Sequence, residues 1–158
     1  MVDIGEDALN AVHTGIVHGD IVPVFCGAAT KMWGVWTLLD NVAGSFPRHT
    51  AKKEEALANG DSMEISVDGE PAMFVFKTVA DPFVGKISIF KVNAGTLRAN
   101  STVYNATKGK DERIGGLFFL KGKEQITTDC ITAGDIGAAS KLANTDTNDT
   151  ICDRARIL

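Results

Sequence analysis

From Glu70 onward the chain is a series of short β-rich segments punctuated by turn signals, and that rhythm constrains the fold more than any other feature. The segments are 73–76, 87–90, 102–104, 116–120 and 136–139, separated by Asp81-Pro82, Asn93-Ala94-Gly95, Lys108-Gly109 and Ala133-Gly134-Asp135. β-Branched and aromatic side chains fit a pleated, half-buried surface, whereas Gly, Asn and Asp tolerate the backbone of a reversal. Many such strands at fairly regular spacing predict a mainly β fold, a closed antiparallel β-barrel whose turns can carry function without disturbing the core. Phe74, Phe76, Ile87, Ile89, Val103, Leu117 and Phe119 are the expected core.

The first third reads differently. Ala8, Leu9, Val12 and Ile16 recur at near-helical spacing and predict a helix over 7–19 with Gly19 as its stop. His13 and His18 lie five apart, which does not place them on one helical face, so no metal site is expected there. Residues 21–25 (IVPVF) are a continuous apolar run of the kind found in buried parallel strands, with Pro23 as a weakness because it cannot donate to a ladder. Val35, Leu38, Leu39, Val42 and Phe46 then mark a second helix, ended by Pro47. A strand followed by a helix is half of an α/β unit. Residues 1–47 are therefore read as a small α/β portion, the polar stretch 48–71 as a linker or hairpin with a short strand over 62–67, and 72–158 as the barrel.

Composition bounds the possible functions. A chain of 158 residues, 44% hydrophobic and 23% charged, is an ordinary globular one with room for one core and an appended subdomain. No apolar run approaches the roughly 20 residues that span a bilayer, and Asp3, Glu6 and Asp7 stand where a leader would be basic, so the expected location is the cytoplasm without membrane contact. Cys26, Cys130 and Cys152 are odd in number and widely spaced, which predicts reduced thiols and no zinc site. No paired His-carboxylate or Cys-His constellation suggests a catalytic centre.

Charge is unevenly spread. Between Lys86 and Lys123 stand eight basic and two acidic residues, a local +6, which leaves −10 for the rest of a chain whose net charge is −4. Lysines and arginines at an interface, not net charge, set phosphate affinity. The expected hairpin from Thr107 to Arg113 makes Lys108, Lys110 and Arg113 candidate RNA contacts, with Lys121 and Lys123 following.

Several longer motifs resemble one family. FKTVADPFVGKISIFKVNAGTL, STVYN, KGKDERIGGLFFLKGK, AGDIGAASKL and NDTICD together resemble the second domain of elongation factor G over essentially all of 72–153, and VPVFCGAA with GVWTLLDNV resembles the last strand and helix of its GTPase domain. The resemblance implies a ribosome-associated translation GTPase that drives tRNA and mRNA translocation. It also implies a barrel that buttresses the GTPase domain and touches small-subunit rRNA. By the same resemblance Gly27, Ala28 and Ala29 are a remnant of the last guanine-recognition loop, with alanine where the family has serine. No G-x-x-x-x-G-K-[ST], D-x-x-G or N-K-x-D sequence is present, so GTP and Mg2+ are expected on other parts of a longer parent and no cofactor on this chain. The start inside an α/β unit and the finish at ICDRARIL are those expected of a piece of such a parent. FPRH at 46–49 and LKGKEQI at 120–126 depart from the family pattern and point to a paralogue or a ribosomal protection protein. A purely structural interdomain module without RNA contact is the competing expectation.

Overall fold

The computed structural model describes residues 5–47 and 52–157, so Arg48 and His49 of the FPRH departure lie outside the described residues. The chain divides into two compact units, one within residues 1–51 and one within residues 52–158.

In the first unit, helix α1 (Glu6–His18) forms where the apolar spacing predicts it, and Gly19, at φ 82°, ends it. A left-handed residue there lets the Gly19 N–H reach back to the carbonyls of Gly15 and Ile16, and glycine adopts that φ without strain. Helix α2 (Val35–Ser45) follows the second spacing and stops before Pro47. The strand expected over 21–25 is absent: residues 21–27 have no regular structure, and Val22 and Val24 are exposed. A parallel strand exists only through its neighbours. No strand among the described residues pairs with this segment, and its apolar content alone does not order it. Neither helix buries a residue among those described.

The second unit is mainly β and antiparallel. Its principal sheet contains β3 (Ala72–Asp81), β4 (Gly85–Ala94), β6 (Thr102–Asn105), β7 (Lys110–Arg113), β8 (Leu117–Lys121), β9 (Glu124–Thr128), β11 (Ile136–Ser140) and β12 (Thr150–Cys152), in the order β7-β6-β12-β3-β4-β11-β8-β9. β5 (Thr96–Arg98) and β10 (Cys130–Thr132) form a separate ribbon, and β1 (Glu54–Ala56) and β2 (Ser62–Glu64) form a hairpin within the stretch expected to be linker or hairpin. Met63 of that hairpin is buried against Ala72 and Ala94, which attaches it to the sheet.

The sheet is strongly curled. β7 and β8 stand six places apart in the order yet are joined by only Ile114, Gly115 and Gly116. Six ladder spacings in a flat sheet are about 29 Å, whereas four chain steps reach about 14 Å at most. The ends must therefore approach one another, and Val103 near one end shares a single core with Leu117 near the other, together with Met73, Val75, Phe90, Val92 and Ile151. The ladder itself ends at β7 and β9, with no pairing between them among the described residues.

Of the expected core, Ile87, Val103 and Leu117 are buried, and Ile89 and Phe119 are partly buried against the clusters. Phe74 and Phe76 are the exceptions, 38% and 40% exposed. Strand faces alternate, and on β3 the inward positions belong to Met73 and Val75, so the two larger rings fall on the outer face. A second cluster, of Ile87, Phe118 and Ala138 with Val79, Val84 and Ile89, shows that β4 and β8 also bury part of their other face.

Candidate nucleic-acid interface

The predicted basic hairpin exists. β6 and β7 pair antiparallel from Thr102↔Arg113 to Asn105↔Lys110, and the turn between them closes on Gly109 at φ 67°, whose N–H donates to the Asn105 carbonyl at 2.8 Å. Along β7, Lys110, Asp111 and Arg113 are exposed and Glu112 is buried. Lys110 and Arg113 belong to none of the ion pairs among the described residues. Asp111 is held by Arg154, whose Nη1 donates to both carboxylate oxygens at 2.8 and 2.6 Å while its guanidinium lies over the Tyr104 ring.

Lys108 is differently placed. Its ammonium donates to Asp146 and lies 3.3 Å from Asp149, inside a polar network under the loop that joins β11 to β12. Lys86 Nζ donates to the Thr145 carbonyl at 2.6 Å and to Asp146 at 3.1 Å. The buried Asn105 donates from Nδ2 to the Asn144 carbonyl and to Asp149, and its Oδ1 accepts the Lys108 N–H. Buried Glu112 accepts the N–H groups of Ala143 and Asn144 at 3.0 and 2.6 Å and the Thr145 hydroxyl at 2.9 Å. The hydrogen bond from Lys108 holds the Asp146 carboxyl below its ordinary value, with Lys86 adding to the effect. Burial alone would raise Asp149, but the Asp146 N–H, Asn105 and Lys108 outweigh it and hold it down. Lys108 is raised, chiefly by its hydrogen bond to Asp146.

These directions predict a pH dependence. Carboxyls with folded values below 3.8 stabilise the fold above the ordinary range, and that contribution disappears as pH falls through the lowered values. A lysine raised above 10.5 contributes below that value and is lost as pH rises through the raised one. The network should therefore be insensitive to pH between about 4 and 10 and loosen outside that window. Thermal melts should show an acid limb that is shallower in an Asp146→Asn, Asp149→Asn variant, and an unchanged limb would remove the network from the acid transition.

Lys121 and Lys123 flank Gly122 in the turn between β8 and β9, with Lys121 opposite Glu124, and both are exposed. They belong to the β8–β9 hairpin, whereas Lys108, Lys110 and Arg113 belong to β6–β7 and its turn.

In the first unit the Gly27, Ala28 and Ala29 stretch forms a closed loop. Ala28 and Trp33 exchange both backbone bonds, so the Ala28 N–H is already given to the Trp33 carbonyl at 3.0 Å. A Cβ on Gly27 would lie 2.7 Å from the Trp33 oxygen and one on Gly34 2.5 Å from the Cys26 oxygen, so the loop closes only with glycine at both positions.

A family described as elongation factor G domain 2 matches residues 70–154. The chain belongs to that family. The matched residues of this elongation factor G domain 2 run from just before β3 to Arg154, the partner of Asp111, and leave the β1–β2 hairpin outside. A crystallised protein from Thermus thermophilus has a similar fold, with a TM-score of 0.67 and 22% identity over 96% of this chain. This chain spans 21% of that protein's length.

Sequence reasoning missed Glu112, Asn105, Asp146 and Asp149. It counted Glu112 only as a charge that weakens a basic hairpin. Nothing in the local pattern marked it, since Lys110 shares the parity of Glu112 on β7 and yet the first is exposed and the second buried.

Proposed function

We propose that this chain is part of a ribosome-associated translation elongation factor of the elongation factor G kind, in which residues 72–158 are the barrel that buttresses a GTPase domain and contacts small-subunit rRNA. The family match over 70–154 is the observation that carries this reading. GTP-dependent translocation of tRNA and mRNA belongs to the longer parent, as do GTP and Mg2+, and this chain supplies no catalytic residue. Residues 1–47 are the closing portion of that GTPase domain, ending in helix α2, with Gly27 to Ala29 as the remnant of its guanine loop. The three-residue join of β7 to β8 supports the barrel, since it brings the sheet's ends together. The working location is the cytoplasm.

Within that reading Lys110 and Arg113 form the RNA-facing surface, with Lys121 and Lys123 on a separate one. Lys108 serves the fold instead, because its ammonium is occupied by Asp146 and Asp149. A Lys110→Ala, Arg113→Ala variant should bind a small-subunit rRNA fragment more weakly, with the salt slope of log K reduced by about 0.7 to 0.9 per contact removed. Its melting temperature should stay near the parent's, since both side chains are exposed. Filter binding across a salt series measures this. Unchanged affinity and slope would favour the structural interdomain module, a reading that the occupied Lys108 supports.

A further inference from the structure

The surface around β7 carries a cation that lies outside the basic segment. β12 pairs Cys152 with Tyr104 of β6, and Tyr104 pairs with Asp111 of β7, so Arg154, two residues past Cys152, comes within reach of an acid 43 residues away in the chain. Its guanidinium sits 5.3 Å from the centre of the Tyr104 ring. Arg113 lies two residues from Asp111 on the same strand, exposed and in none of the ion pairs among the described residues.

These contacts use only part of the guanidinium. Nη1 alone donates to the two Asp111 oxygens, while Nε and Nη2 have no hydrogen-bond partner among the described residues, in a side chain that is 68% exposed. A guanidinium is a planar fork of N–H donors, and its Nε–Nη2 edge matches two oxygens of a phosphate. Ordering a free arginine costs rotamer entropy, but here a carboxylate and an aromatic face already fix the plane. The exposed ion pair itself adds little stability, so its chief effect is on orientation. Lys110, Arg113 and Arg154 outnumber Asp111 and the half-buried Asp153, which suits a polyanion with successive phosphates.

We propose that Arg154 holds a backbone phosphate of RNA through Nε and Nη2, with Asp111 and Tyr104 as positioning residues, an inference that rests on the proposed rRNA contact of this chain. Loss of Arg154 alone would also unmask the Asp111 carboxylate, which repels RNA, and Asp111→Asn removes that charge while leaving an oxygen for Nη1. In filter binding of a small-subunit rRNA fragment across a salt series, Arg154→Ala added to Asp111→Asn should weaken binding about five-fold and lower the salt slope of log K by about 0.7 to 0.9. Arg154→Lys on the same background should keep the slope, because the charge remains, but not the affinity, because the fork is lost. A loss seen only while Asp111 is a carboxylate would mean that Arg154 merely neutralises it, and would overturn the proposal, as would a lysine variant that binds as tightly as arginine. Absence of rRNA binding by the unaltered chain would overturn the rRNA contact and this site with it. If Lys110→Ala, Arg113→Ala weakens binding and the Arg154 variants do not, the contact stands and this site alone fails.

Discussion

Glutamine in place of Glu112 should destabilise the β unit by about 3 kcal/mol, because a carboxylate that accepts several hydrogen bonds in a buried site is replaced by a group with half its acceptors. The side chain is 4% exposed. One oxygen takes the Ala143 N–H, and the other takes both the Asn144 N–H and the Thr145 hydroxyl. A carboxamide offers a single oxygen, and its NH2 would face a backbone N–H, donor against donor. At least one buried donor is left without an acceptor, and removing such a partner costs more than the bond's net contribution. Thr145, fully buried, cannot turn to water. Urea denaturation should show a lower midpoint with an unchanged slope. A loss below about 1 kcal/mol would mean that the 142–149 loop holds its place without the glutamate, contrary to the usual cost of an unmade buried bond.

Alanine at Gly95 should cost at least about 3 kcal/mol, the sum of a left-handed backbone for a residue with a Cβ and an overlap that cannot relax. Gly95 sits at φ 67°, and its missing Cβ would lie 2.5 Å from the Gly69 oxygen and 2.6 Å from the Glu70 carbonyl carbon and the Pro71 nitrogen. Those are backbone atoms of the segment that enters β3. Gly95 also donates to Ser66 at 2.7 Å and accepts from Ala133 at 2.9 Å, so it is pinned from both sides and cannot move off the segment without straining those bonds. Gly85 is the control. It has φ 81° and nothing within 4 Å of an added Cβ, so Gly85→Ala should cost only the conformational part, about 1 kcal/mol. Equal losses for the two variants, by the same denaturation measurement, would show that the close approach at Gly95 contributes nothing.

Much of the organisation was legible in the amino-acid order. The helix ending at Gly19, the helix ending before Pro47, the β3–β4 and β6–β7 hairpins and the family itself all rest on local chemistry: apolar spacing, a glycine where φ must be positive, a turn residue between β-rich runs. These depend on residues near one another in the chain, so a sequence displays them. The expected parallel strand at 21–25 failed for the complementary reason, since apolar content is local and a ladder partner is not.

Facing and charge pairing were decided by the tertiary structure. Alternation along β3 is visible in the sequence, but which parity faces the core depends on strands far away, and a bulge between Val75 and Lys77 changes it midway. Lys108 and Lys110 look alike on paper. They differ because the turn after Asn105 delivers one ammonium to Asp146, 38 residues away, while the other stays exposed at the start of β7. Amino-acid order was enough to mark this chain as a mainly β member of the elongation factor G domain 2 family carrying a basic segment. Which of those cations hold the fold and which face outward is settled in three dimensions, because ion pairs and burial are made between elements that no local pattern connects.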